Sequence, residues 1–158
     1  MITPEHRINE LTKLNNDMNV EIYYVKFKDS NKKGVSYFDD NLEDFEIFIS
    51  NDLKSYEEMK TLAHETGHVM TDCSTILSPQ FIVERGERRA ENWACQYIVK
   101  YDDIISTLED WSIKNDFEAA QVLGVDLVSL RKAVRRYELE GRPVSRSDYV
   151  LDWRQWDY

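Results

Sequence analysis

The chain has 158 residues, 20 basic and 30 acidic side chains, a formal net charge of −10 and a pI near 4.8. That balance argues against a general nucleic-acid or membrane-surface binder, and a hydrophobic content of 42% with 12% aromatics argues against disorder. The N-terminus lacks the apolar core of a secretory signal and no apolar run is long enough for a bilayer, so a cytoplasmic protein without membrane contact is expected. The acidic excess is uneven: residues 1 to 113 carry 12 basic and 22 acidic side chains, whereas residues 114 to 158 carry 8 of each. The shift suggests a boundary near 105 to 115, and we divide the chain into a domain over 1–110 and a helical C-terminal segment over 111–158.

In chain order, Ile8, Leu11, Leu14 and Met18 mark one side of a first helix ending near Asn15 to Asp17. Val20 to Phe27, rich in β-branched and aromatic residues, predicts a strand. Asp29 to Gly34 is a turn, Val35 to Phe38 a short second strand, Asp39 to Asp44 a polar loop and Phe45 to Ser50 a third strand. If Ile47 to Ser50 formed a sheet edge beside a cleft, an extended peptide could add to it through main-chain hydrogen bonds.

Ser55 with Glu58 reads as a capping box, after which Met59, Leu62, Ala63, Thr66, Val69 and Met70 recur at helical spacing. His64 and His68, from the stretch His64-Glu65-Thr66-Gly67-His68, face nearly the other way. Two imidazoles four residues apart lie one turn apart on one face and can share a metal ion. A glutamate directly after the first histidine then stands beside the metal, where in zinc hydrolases it takes a proton from metal-bound water. Two of the chain's three histidines are spent here.

Residues 73 to 84 read as a loop with Ser78-Pro79 as breaker, followed by a helix from Arg85 to Tyr101 with Ala90, Trp93, Ala94, Tyr97, Ile98 and Tyr101 on one side. A catalytic zinc site usually has three protein ligands, and two histidines with one carboxylate is a known set. Glu87, opening the second helix, is the choice for the third ligand, with Glu84 as its rival. Glu91, one turn on, would accept a hydrogen bond from the far nitrogen of a ligand histidine. Cys73 could be a soft ligand, although buried inert thiols suit Cys73 and Cys95 better.

Leu62-Ala63-His64-Glu65-Thr66-Gly67-His68-Val69, followed by Glu87-Arg88-Arg89-Ala90-Glu91-Asn92-Trp93-Ala94, resembles the ImmA/IrrE family of small zinc metallopeptidases found in bacteria, phages and integrative elements. The resemblance covers roughly residues 20 to 105. It implies an α+β fold with a gluzincin-like minimal metallopeptidase core, in which a small sheet supports the HExxH helix and a second ligand-bearing helix. It further implies Zn2+ held by His64, His68 and Glu87, and Glu65 as general base. Members encoded by mobile elements are site-specific proteases that cleave a repressor-type DNA-binding protein, which is the expected protein partner here.

Asp116 to Val125, then Leu127 to Tyr137, reads as a helix, a glycine turn and a second helix resembling a helix-turn-helix, with Arg131, Lys132, Arg135 and Arg136 available for phosphate contacts. The balanced charge of this segment favours packing or partner recognition over DNA binding. A zinc-containing transcriptional or stress regulator acting through this segment without proteolysis is the alternative function. The last ten residues, with Trp153 and Trp156 among acids, form either a docked tail or a contact surface.

Overall fold

A computed structural model describes residues 1–71, 80–146 and 149–150. These fall into two compact units. One comprises Pro4–Ala94, and the other Met1–Thr3 with the chain from Cys95 onward.

The first unit begins with α1 (Pro4–Asp17) and a three-stranded sheet of β1 (Glu21–Val25), β2 (Gly34–Asp39) and β3 (Asp44–Ser50). It continues with α2 (Ser55–Met70) and the larger part of α3 (Gln80–Ile98). The turn from α1 into β1 uses Asn19 at φ 58, a left-handed conformation that asparagine tolerates better than most residues. Asn15 is fully buried there, and its Nδ2 donates to Leu11 O (2.8 Å) and to Thr66 Oγ1 (2.9 Å), tying α1 to α2.

The sheet order is β1-β3-β2, with β1 parallel and β2 antiparallel to β3. Ile47 and Ile49 of β3 are wholly buried, as are Met59, Leu62 and Ala63 of α2, which packs on β2 and β3. The expected edge strand is therefore corrected: β3, containing Ile47 to Ser50, is the central strand and has no free edge to offer. Its strong apolar character suits a strand flanked on both sides, whereas β2, with Gly34 and Ser36, takes the edge.

Three helix boundaries also differ from expectation. Lys54 is the N-cap of α2, with no side-chain cap bond, and Ser55 is already helical, so the capping box does not form; Tyr24 donates its hydroxyl to Glu58 Oε1 instead (2.7 Å). Helix α3 starts at Gln80, five residues before the expected Arg85, so Glu84 is helical and not part of a loop. It stops at Ile98 although the apolar period runs on to Tyr101, since Lys100 leaves the helical region at ψ 143 and caps a new helix. Met70, placed by its spacing on the core side of α2, is 44% exposed at the helix end.

The second unit holds α4 (Tyr101–Glu109), α5 (Asp116–Leu123) and α6 (Leu127–Leu139), then a short antiparallel pair, β4 (Ser145–Arg146) and β5 (Tyr149–Val150). Asn115 and Asp126 cap α5 and α6, accepting from Glu118 N (3.0 Å) and Ser129 N (2.6 Å). Gly124 ends α5 at φ 67, and a side chain there would collide with the backbone oxygen of Ile2. Ile104, Leu123, Leu130 and Val134 form its core. The Tyr137 hydroxyl donates to Val99 O at 2.8 Å. Trp153, Trp156 and Cys73 lie outside the described residues.

Candidate metal centre

Helix α2 presents His64 and His68 one turn apart, with ring planes at 90° and Nε2 atoms 3.1 Å from each other. Glu87, in the part of α3 that belongs to the first unit, closes the triangle: Oε2 lies 3.1 Å from His64 Nε2 and Oε1 3.3 Å from His68 Nε2. Two imidazole nitrogens and a carboxylate pointed at one spot repel each other unless a cation or shared proton lies between them. Among the described residues, these three form a group able to hold a metal ion, their ligand atoms all within 4.8 Å of one another.

The distances discriminate further. Metal–ligand bonds of about 2.0–2.1 Å in tetrahedral directions place neighbouring ligand atoms roughly 3.3–3.4 Å apart. The two Nε2 atoms, 3.1 Å apart, are close to that spacing, and each lies 3.1–3.3 Å from one of the two Glu87 oxygens, Oε2 for His64 and Oε1 for His68. Glu84, exposed and one turn earlier on α3, is not in the group.

Each histidine is tuned by its surroundings. His64 Nδ1 faces Glu91 Oε2 at 3.4 Å, and this contact, aided by the charges of Glu65, Glu87 and Glu91, raises its pKa against the opposing effect of burial. A proton kept on Nδ1 leaves the Nε2 lone pair directed at Glu87 and His68. Burial depresses the pKa of His68, reinforced by the neighbouring His64, although Glu87 pulls the other way. The lowered pKa of His68 suits metal binding, which needs neutral imidazoles, whereas the raised pKa of His64 means that a cation bound there competes with a proton.

Glu65 points from the same helix toward β2 and is only 7% exposed. Burial raises its pKa, partly offset by His64 and by hydrogen bonds from the side chain and backbone of Ser36. Ser36 and Gly34 escaped the sequence reading, since nothing in a short polar strand marks them. Gly34 lets β2 approach closely: a β-carbon there would stand 2.6 Å from Thr61 Cγ2 and 3.1 Å from Glu65 Cγ. Gly67 does the same between helices, where a β-carbon would stand 2.5 Å from Ala90 O. A cleft of about 370 Å³ results, lined by Gly34, Val35 and Ser36 on one side and His64, Glu65, His68 and Glu87 on the other.

This arrangement of helices, sheet and ligand group coincides with a family match: residues 15–135 fit the model of Peptidase M78, the IrrE N-terminal-like domain. The chain belongs to this family. No curated protein matches it closely enough to count as a relative. Family membership supports a metallopeptidase-type function, and the matched span contains every residue of the ligand group together with Glu65, Glu91 and Ser36. Among the described residues no helix of this M78 chain is long and apolar enough to cross a membrane.

Proposed function

We propose that this M78 chain is a zinc-dependent, gluzincin-like metalloendopeptidase. In this reading His64, His68 and Glu87 are the zinc ligands, Glu65 is the general base and Glu91 orients His64. The observation that carries it is the convergence of ligand atoms of His64, His68 and Glu87 within 4.8 Å of one another, beside the buried carboxylate of Glu65. When bound, zinc supplies a Lewis acid that polarises a scissile carbonyl and acidifies a coordinated water.

The chain's own residues supply the rest. Burial raises the Glu65 carboxyl above its ordinary value and so makes it a better proton acceptor, able to take a proton and return it to a leaving amine. Ser36 holds that carboxylate in place. β2 pairs with β3 on one side and is the sheet's edge on the other, so its remaining N–H and C=O groups can align an extended polypeptide beside the cleft.

The substrate in this proposal is a repressor-type DNA-binding protein of a phage or mobile element, cut at a specific bond in the cytoplasm. Co-expression with the repressor-like protein encoded beside it, wild type against Glu65→Gln, tests this by mass spectrometry of fragments. Discrete fragments from the wild type alone support the reading; an intact repressor in both refutes that substrate.

One observation favours the alternative of a regulator. Helices α5 and α6 flank Gly124 and are followed by the β4–β5 pair, and the solvent side of α6 carries Lys132 and Arg135. Salt-dependent binding of the full chain to duplex DNA would support it.

A further inference from the structure

A cavity of about 470 Å³ in the first unit shares no residue with the metal cleft. Its walls hold Glu21, Asp44 and Glu46 together with Tyr23, Leu42 and Phe45, and the remaining lining residues, from the end of α1 and the turn after it, are uncharged. Strand register sets the acids against each other. Glu21 of β1 pairs with Glu46 of β3, and Asp39 of β2 with Asp44 of β3. Like charges directly opposite one another destabilise a sheet. Among the described residues none of these four carboxylates is in an ion pair, and β2, β3 and the loop joining them carry five acidic residues and no lysine or arginine.

The apolar part of the groove is uncovered too. Leu42 is 63% exposed, and Tyr23, with Tyr37 and Phe38 on the neighbouring β2, is also exposed. Two ring pairs fix these side chains: Tyr23 stacks on Phe48 (5.3 Å) and Phe38 meets Phe45 edge-on (5.0 Å). Desolvation, then the charges of Glu21 and Glu46, raise the pKa of the Tyr23 phenol, so both carboxylates act on that ring. Exposed rings rimmed by carboxylates suit a partner that brings an apolar side chain and a cation together, and rings already held in place lose little freedom on docking.

Resting on the proteolytic reading, we infer that this groove is a docking site, separate from the metal cleft, for a cationic segment of the protein substrate in which lysine or arginine stands next to a leucine or an aromatic residue. The apolar side chain sits against Leu42 and Phe45. The cationic ones lie among Glu21, Asp44 and Glu46, where they relieve the repulsion across the register. The substrate proposed above binds DNA, and a DNA-binding protein carries a basic surface for phosphate, so its charge complements the groove. Complementary charge of this kind contributes more to choice of partner than to raw affinity.

The test uses the full chain with Glu65→Gln as background and two fluorescent peptides of identical apolar sequence, one with two lysines and the other with two glutamines. Because the whole chain is acidic, a groove variant, Glu21→Gln with Glu46→Gln, is set against a control of equal charge, Asp102→Asn with Glu109→Gln on α4. Fluorescence anisotropy at low salt should give about ten-fold tighter binding of the lysine peptide. The groove variant should lose about five-fold of that preference and the control less than about two-fold, and the preference should shrink with salt. Removing a like-charge pair leaves the groove variant at least as stable as its parent, which thermal unfolding verifies. Equal losses in the groove and control variants, or equal affinities for the two peptides, overturn the inference. Cleavage of the co-expressed repressor-like protein, with Glu65 restored, is scored separately. An undiminished rate in the groove variant overturns the groove's part in substrate choice, whereas no cleavage by the wild type, with the lysine preference intact, strikes the proteolytic reading and leaves the docking site standing.

Discussion

Gly67→Ala probes how finely the ligand group depends on one close helix approach. The added β-carbon would stand 2.5 Å from Ala90 O, 3.0 Å from its Cα and 3.1 Å from its carbonyl carbon. These are backbone atoms and cannot rotate away. Restoring an ordinary contact requires α2 and α3 to separate by roughly 0.7–0.9 Å, whereas metal–ligand distances tolerate only about ±0.2 Å. Gly67 adjoins His68, and Ala90 lies one turn from Glu87, so the displacement falls on the ligand triangle. Overpacking costs about 1–3 kcal/mol, offset by about 1 kcal/mol of helix propensity gained over glycine. The metal-free protein should therefore lose about 0–2 kcal/mol of stability, while metal affinity falls at least about ten-fold, or roughly 1.4 kcal/mol. Competition against a chromophoric chelator, together with thermal unfolding of the metal-free protein, measures both. Wild-type metal affinity in a variant that unfolds at or above the wild-type temperature would refute the reasoning.

Three further outcomes follow from the same geometry. Glu91→Gln removes the charge facing His64 Nδ1 and should weaken metal binding about ten-fold, less than Glu87→Gln; equal losses in the two would deny Glu91 its orienting role. Asn15→Ala deletes the bonds to Leu11 O and Thr66 Oγ1 and leaves a buried void, which should cost about 2–3 kcal/mol in urea unfolding, and a loss below about 0.5 kcal/mol would contradict the α1–α2 tie. Burial pushes the Tyr137 phenol up from 10.0 to about 12, so the folded chain holds that proton more tightly than the unfolded chain. Its contribution is complete below pH 10 and lost as pH rises through 12. Tyr137→Phe should be less stable at neutral pH and flatter across that window, and an unchanged alkaline slope would contradict this.

The sequence carried the ligand helix unusually clearly, because the i, i+4 histidines and the adjacent glutamate impose a chemistry that few other patterns share. Gly67 was legible for a similar reason: it sits inside the motif, and the contact with Ala90 explains why a glycine is wanted there. Sheet order was not legible. Both β2 and β3 are short runs between turns, and only the pairing of β3 with two partners shows which strand is central. Helix ends misled where periodicity and local conformation disagree, as at Lys100, whose extended backbone interrupts an apolar period that continues through Tyr101. The hydrogen bonds of Ser36 to Glu65 depend on residues 29 positions apart in sequence, for which one chain offers no signal.

The central claim is a single zinc held by His64, His68 and Glu87, with Glu65 acting on it without binding it. Metal content by mass spectrometry and hydrolysis of a protein substrate, measured on the same purified samples of wild type, Glu65→Gln and Glu87→Gln, test it most directly. About one zinc per chain in the first two, markedly less in the third, and fragments from the wild type alone are predicted. Full zinc in Glu87→Gln, or undiminished hydrolysis by Glu65→Gln, would contradict the account.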